Sequence, residues 1–351
     1  MKKLLLICLS ALALTSAGAA PPTARDFTLG ADISGVSADE SRGRFTRDTL
    51  GNRVETTRLM RDYGLNGVRL RVWKNPLEGF SSPEDVRRMA RRAADLGMDI
   101  MIDFHYSDWW ADPGKQNIPA AWKGLTYQQM KDSLAAHTRY TLSLLRADSI
   151  PVRWVQVGNE TTHGFLWPIG HTPENMAQYA GLHQAGYDAV KEIYPEAEVI
   201  VHFDNGFDQE LYDRMLDGLK ANGAKWDMIG MSVYPYWAIE GKFRPDAEST
   251  IRDAMANICH LKKKYGTDVM IVETGFDARR PQEGKKLLAG LIEQALTQTD
   301  GACRGVWYWA PEINAEADYH LGAFSDDRPT AIMDAFAEAA RRLKNRPDCN
   351  N

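Results

Sequence analysis

The chain has little cysteine. There are four in 351 residues, and Cys8 falls inside an apolar run at the start. Beyond that run stand Cys259, Cys303 and Cys349. An odd number excludes a fully paired disulfide framework, and the spacing matches no zinc motif. Buried or incidental thiols are the plain reading, with a Cys259–Cys303 bridge left open. Neither sign of charge dominates: 42 Lys and Arg stand against 47 Asp and Glu, a formal net charge of −5. That balance does not suggest a nucleic-acid partner. Past the N-terminus no stretch is apolar enough for a transmembrane helix. Gly-x-Gly-x-x-Gly is missing after the first strand candidate, which argues against a doubly wound dinucleotide fold. His-x-His, common on the first strand of metal-dependent barrel hydrolases, is missing from Ala31-Asp-Ile-Ser-Gly35. Internal repeats, low-complexity linkers and appended modules are absent as well.

What is present begins with Lys2 and Lys3, an apolar run from Leu4 to Leu14, and small residues from Thr15 to Ala20. This is the pattern of a secretory signal peptide, with cleavage near Ala17 to Ala20. Residues 1–20 are therefore expected to be the signal peptide and residues 21–351 one catalytic domain. The expected location is periplasmic, cell-surface or extracellular, for a monomer without a membrane span. About 330 residues suit one large α/β barrel or two ordinary domains.

Strand-like and helix-like stretches alternate along the mature chain. The strand candidates are Thr28–Ile33, Gly67–Trp73, Asp99–His105, Val152–Asn159, Glu198–Phe203, Met228–Tyr234, Val269–Glu273 and Gly305–Trp309. Helical periodicity marks Ser82–Leu96, Tyr127–Leu145, Pro173–Ile193, Ala247–Tyr265 and Glu283–Leu296. Ser82-Pro83-Glu84-Asp85 is a well-formed helix start, and Leu96-Gly97 a stop. Eight strands in strict alternation with helices predict a closed (β/α)8 barrel of the TIM type. The long aromatic loop from Ser107 to Thr126 should stand over the barrel mouth.

In such a barrel the active site forms at the C-terminal ends of the strands. Val152-Arg-Trp-Val-Gln-Val-Gly-Asn-Glu160 ends the fourth strand on a carboxylate. Asp268-Val-Met-Ile-Val-Glu-Thr-Gly275 ends the seventh on another, Glu273. Strands four and seven face across the lumen, so their carboxylates can act from opposite walls of a scissile glycosidic bond. Other strand ends deliver Arg71, His105, Asp204, Asn205, Tyr234 and Trp309 to the same face. Each has a bland reading as strand cap or barrel plug. Convergence of polar and aromatic groups at one end is what packing alone does not require. Arg69 and Arg71 share one face of the second strand. Arg71, nearer the mouth, is the expected partner of a catalytic glutamate. Ten Trp in the chain offer platforms for the apolar C–H face of a pyranose.

These residues also resemble a family. Val155-Gln-Val-Gly-Asn-Glu160, Asp103-Phe-His-Tyr-Ser-Asp108, Trp110-Ala-Asp-Pro-Gly-Lys115, Val68-Arg-Leu-Arg-Val-Trp73 and Gly30-Ala-Asp-Ile-Ser34 are similar to stretches of glycoside hydrolase family 53. The resemblance runs from about Gly30 to about Phe336. It implies an arabinogalactan endo-β-1,4-galactanase, a retaining (β/α)8 enzyme acting on the galactan side chains of pectin. Glu160 would be the acid/base and Glu273 the nucleophile. Asn159 would bond the sugar's 2-hydroxyl; Arg71, His105, Tyr234 and Trp309 would line that subsite. Trp110, Asp204 and Asn205 would contact neighbouring sugars, with Asp108 also in the substrate-binding set. Some bacterial relatives carry a long calcium-stabilised loop after strand eight, whereas here only Pro311 to Pro329 spans that connection. Asp277, Asp318, Asp326 and Asp327 offer oxygen ligands without a spaced calcium motif, so no metal or cofactor is expected. The rival readings are a related barrel cutting mannan or cellulose, and a secreted carbohydrate-binding barrel without catalysis.

Overall fold

The computed structural model describes residues 27–345. The expected signal peptide, Cys8 and Cys349 lie outside the described residues. Eight parallel strands form the inner ring: β1 (Thr28–Asp32), β2 (Gly67–Val72), β3 (Asp99–Phe104), β4 (Trp154–Val157), β5 (Glu198–Phe203), β6 (Met228–Ser232), β7 (Asp268–Glu273) and β8 (Cys303–Trp309). Each pairs with its neighbours in sequence, and β1 closes on β8 with Asp32 opposite Trp309. The outer ring is α1 (Thr56–Asp62), α2 (Pro83–Asp95), α3 (Tyr127–Ala147), α4 (Met176–Ile193), α5 (Gln209–Ala221), α6 (Ala247–Tyr265), α7 (Pro281–Thr297) and α8 (Ala331–Lys344). The molecule is a (β/α)8 barrel, as the alternation predicts. No helix among the described residues is long and apolar enough to cross a membrane.

Local chemistry explains the boundaries. The Ser82 hydroxyl accepts the Asp85 amide and Pro83 opens α2, while Gly97 stops the chain at φ 68°. Thr126 and Gln129 form a reciprocal capping box at the start of α3. The fourth strand is shorter than its apolar run suggests. Gly158 takes φ 90° and Glu160 φ 45°, which ends the ladder after Val157 and turns the chain over the mouth. Tyr106, Asn205 and Ala310 adopt φ 50°, 46° and 47° just past β3, β5 and β8. Each such residue costs on the order of 1–3 kcal/mol, and such strain gathers at functional sites.

Alternation along the strands separates two interiors. Leu70, Val72, Ile100 and Ile102 pack outward against the helices in the main core. The lower lumen is plugged by Met101, Trp154, Ile200, Met228, Met270, Val272 and Trp307. Trp307 lies so close to β1 and β2 that a Cβ on Gly30 or Gly67 would sit 2.1 or 2.5 Å from its ring. Above this plug the lumen is polar, and there the site forms. The two cysteines left open for a bridge are free thiols: Cys259 is exposed on α6 and Cys303 buried on β8.

Candidate active site

Glu273 reaches the lumen through an irregularity in its strand. Met231 pairs with Ile271, but the next β6 residue, Ser232, pairs with Glu273. The extra residue is a β-bulge, which lets both Val272 and Glu273 face inward. Below the carboxylate stands Arg69, fully buried. Its Nη1 lies 2.8 Å from Asp32, and its Nη2 lies 2.9 Å from Asp103 and 2.8 Å from Glu273 Oε1. The contact with Glu273 is charge-to-charge and off the hydrogen-bond line, whereas Nη2 donates to Asn159 Oδ1 at 2.9 Å. Burial opposes the arginine's charge, but Asp103, Glu273 and Asp32 outweigh it. Breaking such a buried cluster typically costs about 3–5 kcal/mol.

The expectation that Arg71 pairs with the catalytic glutamate is therefore corrected: Arg69 does so. Although Arg71 and Asp103 are opposite in register, Arg69 starts one layer deeper and its long side chain climbs to the carboxylates. Arg71, already at the rim, turns outward. Its guanidinium lies 3.9 Å from the centre of the Trp110 ring and 4.4 Å from that of Trp73, and donates to Ser81 at 3.2 Å. Burial lowers its pKa to about 10.

Glu160 has different company. Ser232 Oγ donates to its Oε1 at 2.7 Å. That hydroxyl is 2.9 Å from His202 Nε2, while His202 Nδ1 accepts the Glu160 amide at 3.2 Å. The partners give His202 its proton on Nε2, and burial keeps the ring neutral. Burial, then the charges of Glu273 and Asp204, push the Glu160 carboxyl well above the usual range; the Ser232 hydroxyl opposes them. Burial lifts Glu273 to about 7, with Arg69 opposing, Asp103 and Asp32 adding to the rise, and the Tyr234 phenol, which donates to Oε2 at 3.1 Å, working against it. The cation sits with Glu273 and only a neutral relay with Glu160. Glu160 is thus the member of the pair that holds its proton, and Glu273 the one that ionises more readily.

The mouth is a cleft of two lobes. The lobe over the glutamates, about 500 Å³, is walled by His105, Trp110, Asn159, Asp204, Asn205, Tyr234 and Trp309, all named from the sequence. It also meets Asp112, Lys115, Trp237 and Tyr319. A second lobe of about 450 Å³ lies over β1, β2 and β8 and shares Trp110, Trp309 and Tyr319 with the first. Arg71 lines this second lobe, beside Glu312, whose buried carboxyl oxygens have no hydrogen-bond partner. Asp108 lines neither lobe. Its two oxygens accept the amides of Asn75 at 3.0 Å and Ala120 at 2.8 Å, so it ties loops together. His105 is engaged on both nitrogens, by Asp103 at 3.1 Å and the Ala111 amide at 3.1 Å. It presents a fixed ring rather than a free donor. Asp204 accepts from Thr162 and Asn205, and burial raises its pKa to about 6. Of the acids noted for calcium, Asp277 is held by Arg279 and Arg280, and Asp327 by Asn314. Among the described residues no group of three His, Cys, Asp or Glu is placed to hold a metal ion.

Two glutamates of unlike environment at the ends of β4 and β7, Glu273 buried and Glu160 half-buried, suit two-carboxylate glycoside chemistry. The sequence profile of glycosyl hydrolase family 53 matches residues 28–340. The chain belongs to glycosyl hydrolase family 53. An endo-β-1,4-galactanase of Bacillus subtilis is 30% identical over 316 residues, 82% of this chain and 70% of the relative. A probable arabinogalactan endo-β-1,4-galactanase A of Neosartorya fischeri is 30% identical over 306 residues, 80% of this chain and 83% of the relative. A fungal β-1,4-galactanase structure superposes with a TM-score of 0.79 at 26% identity, covering 88% of this chain and 98% of that one. The family 53 catalytic domain of Ignisphaera aggregans does so with the same score and identity, covering 89% and 95%. The site of this family 53 glycosidase also holds residues to which strand-end reading gave no catalytic partner or role. Arg69 lies a layer too deep to be singled out, and Ser232 is an ordinary hydroxyl until His202 and Glu160 flank it. Tyr319 comes from a loop without pattern.

Proposed function

We propose that the chain is an exported endo-β-1,4-galactanase that cuts galactan side chains of pectin with retention of configuration. The observation that carries this is the unequal pair: Glu273 beside Arg69 and Tyr234, Glu160 at the end of the His202–Ser232 relay. Glu273 attacks the anomeric carbon while Glu160 gives its proton to the departing oxygen. Water then attacks the glycosyl ester, losing its proton to Glu160 and returning Glu273 to the carboxylate. Asn159, whose Nδ2 donates one hydrogen to Ala111 O at 2.8 Å, keeps a second for the sugar's 2-hydroxyl. Two carboxyls supply both nucleophile and proton, so the scheme calls for no cofactor. The chain is proposed to act as a monomer. The charged and apolar start of the sequence supports export.

The test uses unbranched β-1,4-galactan beside mannan and cellulose, with product anomers followed by proton NMR. Internal cleavage of galactan alone, with the β-anomer released first, is expected. Alanine variants separate the roles on an activated β-galactoside with added azide. Glu160→Ala should give the β-azide through the accumulated ester, and Glu273→Ala at most the α-azide. The reverse pattern exchanges the roles, and first release of the α-anomer ends the retaining scheme.

A further inference from the structure

Two of the large apolar side chains exposed among the described residues line the cleft: Trp109 in the β1–β2–β8 lobe and Trp237 in the catalytic lobe. Leu50, Leu77, Tyr140 and Phe243 are also exposed and line neither lobe. A single exposed tryptophan needs no explanation, but one at the open end of a cleft over two catalytic carboxyls does.

The electrostatics orient a substrate. Glu160 is held from β5 and β6 by His202 and Ser232, and Glu273 is drawn toward Arg69 of β2. The acid must reach the departing oxygen and the nucleophile the anomeric carbon. The departing part of a chain therefore lies over β5 and β6, and the retained part toward β1, β2 and β8. Trp237 stands on the departing side. It belongs to the short helix Pro235–Glu240 that follows β6, and is 48% exposed. Its ring is braced edge-on by Tyr236 at 4.8 Å, and Tyr236 by His320 at 4.8 Å. Asp204, Asn205, Asp112 and Lys115 line the same lobe and offer polar partners for hydroxyls, while the indole offers an apolar face.

Resting on the two-step reading above, we propose that Trp237 is the platform for the sugar leaving in the first step, and for any sugar accepting in the second. It thereby sets the ratio of transfer to hydrolysis. In transfer, an acceptor hydroxyl oxygen bonds to the anomeric carbon as the ester bond to Glu273 breaks. The bond's electron pair returns to Glu273, and the hydroxyl proton goes to Glu160. An acceptor stacked on Trp237 competes with water for this step.

The experiment uses β-galactobiosyl fluoride as donor, because fluoride leaves without a sugar on the departing side. Galactobiose is added as acceptor, and transfer products are measured against hydrolysis. Trp237→Ala should keep the melting temperature and lower the transfer ratio about five- to ten-fold, a larger fall than any in fluoride release. Trp237→Phe should recover part of it. An unchanged ratio in Trp237→Ala, with transfer normal in the wild type, overturns the platform and leaves the two-step reading standing. A ratio that falls only with fluoride release and melting temperature marks Trp237 as structural and overturns it too. No transfer by the wild type at any acceptor concentration overturns the platform, while the anomer of the hydrolysis product decides the two-step reading separately.

Discussion

Ser232 Oγ, at 2.7 Å from Glu160, donates the hydrogen bond that holds down the acid's pKa against burial and the charges of Glu273, Asp204 and Asp112. A hydroxyl donating to a carboxylate favours the charged form, so its loss raises the carboxyl's pKa. In Ser232→Ala the acid should stay protonated to higher pH, and the alkaline limb of kcat/KM should move up by about one pH unit. A limb that stays in place or moves down would show that the hydroxyl does not control Glu160. The same scale explains why Arg71 is misread from the sequence. Period-two alternation gives its face, but not the height to which an arginine side chain climbs. Arg69 reaches up past one layer to three carboxylates, and the rim arginine is left to the indoles.

At the scale of elements, the loop from β3 to α3 brings Trp110, Asp112 and Lys115 over the site. Its regular structure amounts to a short 3-10 turn at Ala120–Trp122, so anchors decide its shape. Asp108 is one anchor, bonded to amides on both the β2–α2 side and its own loop. Asp108→Ala removes two charge-assisted bonds and should cost about 1–3 kcal/mol in urea unfolding. Limited proteolysis should open within 107–126 earlier than in the wild type. Equal stability and an unchanged cleavage pattern would show that the loop is held elsewhere. The family resemblance, through Asp103-Phe-His-Tyr-Ser-Asp108, put Asp108 with the sugar-binding groups. Sequence position cannot say which way an acid at a turn points.

For the whole molecule, buried carboxyls set a dependence of stability on pH. Glu312 is pushed well above the usual range by burial and by Asp39 and Asp32, with its own amide and Arg71 opposing. A raised carboxyl binds its proton more tightly folded than unfolded. Its contribution is present below the unfolded pKa and is lost as pH rises toward the folded one. Asp277 has the opposite sign. The Arg279 bond holds it at about 2, so its contribution is present above the unfolded value and lost as pH falls. Glu312→Gln should therefore gain melting temperature over the wild type, and the gap should widen from pH 5 to pH 8. A gap that narrows over that range would mean that Glu312 is ionised and stabilising at neutral pH.

The sequence alone determined the barrel. Apolar runs, caps and glycine stops are local, and eight strand–helix units in strict alternation leave few other folds. It also determined the two glutamates, because a carboxylate directly after a buried strand must emerge at the mouth. Only the tertiary structure decided which arginine holds Glu273, that Ser232 and His202 serve Glu160, and that Asp108 accepts loop amides and lines neither lobe. It alone shows the bulge at Val272 that turns Glu273 inward, and the two lobes meeting at Trp110, Trp309 and Tyr319. These depend on side-chain reach and on register between strands far apart in sequence, as with Arg69 and Asn159, 90 residues apart. A pattern along one chain carries the period of an element. It does not carry the distance across the ring.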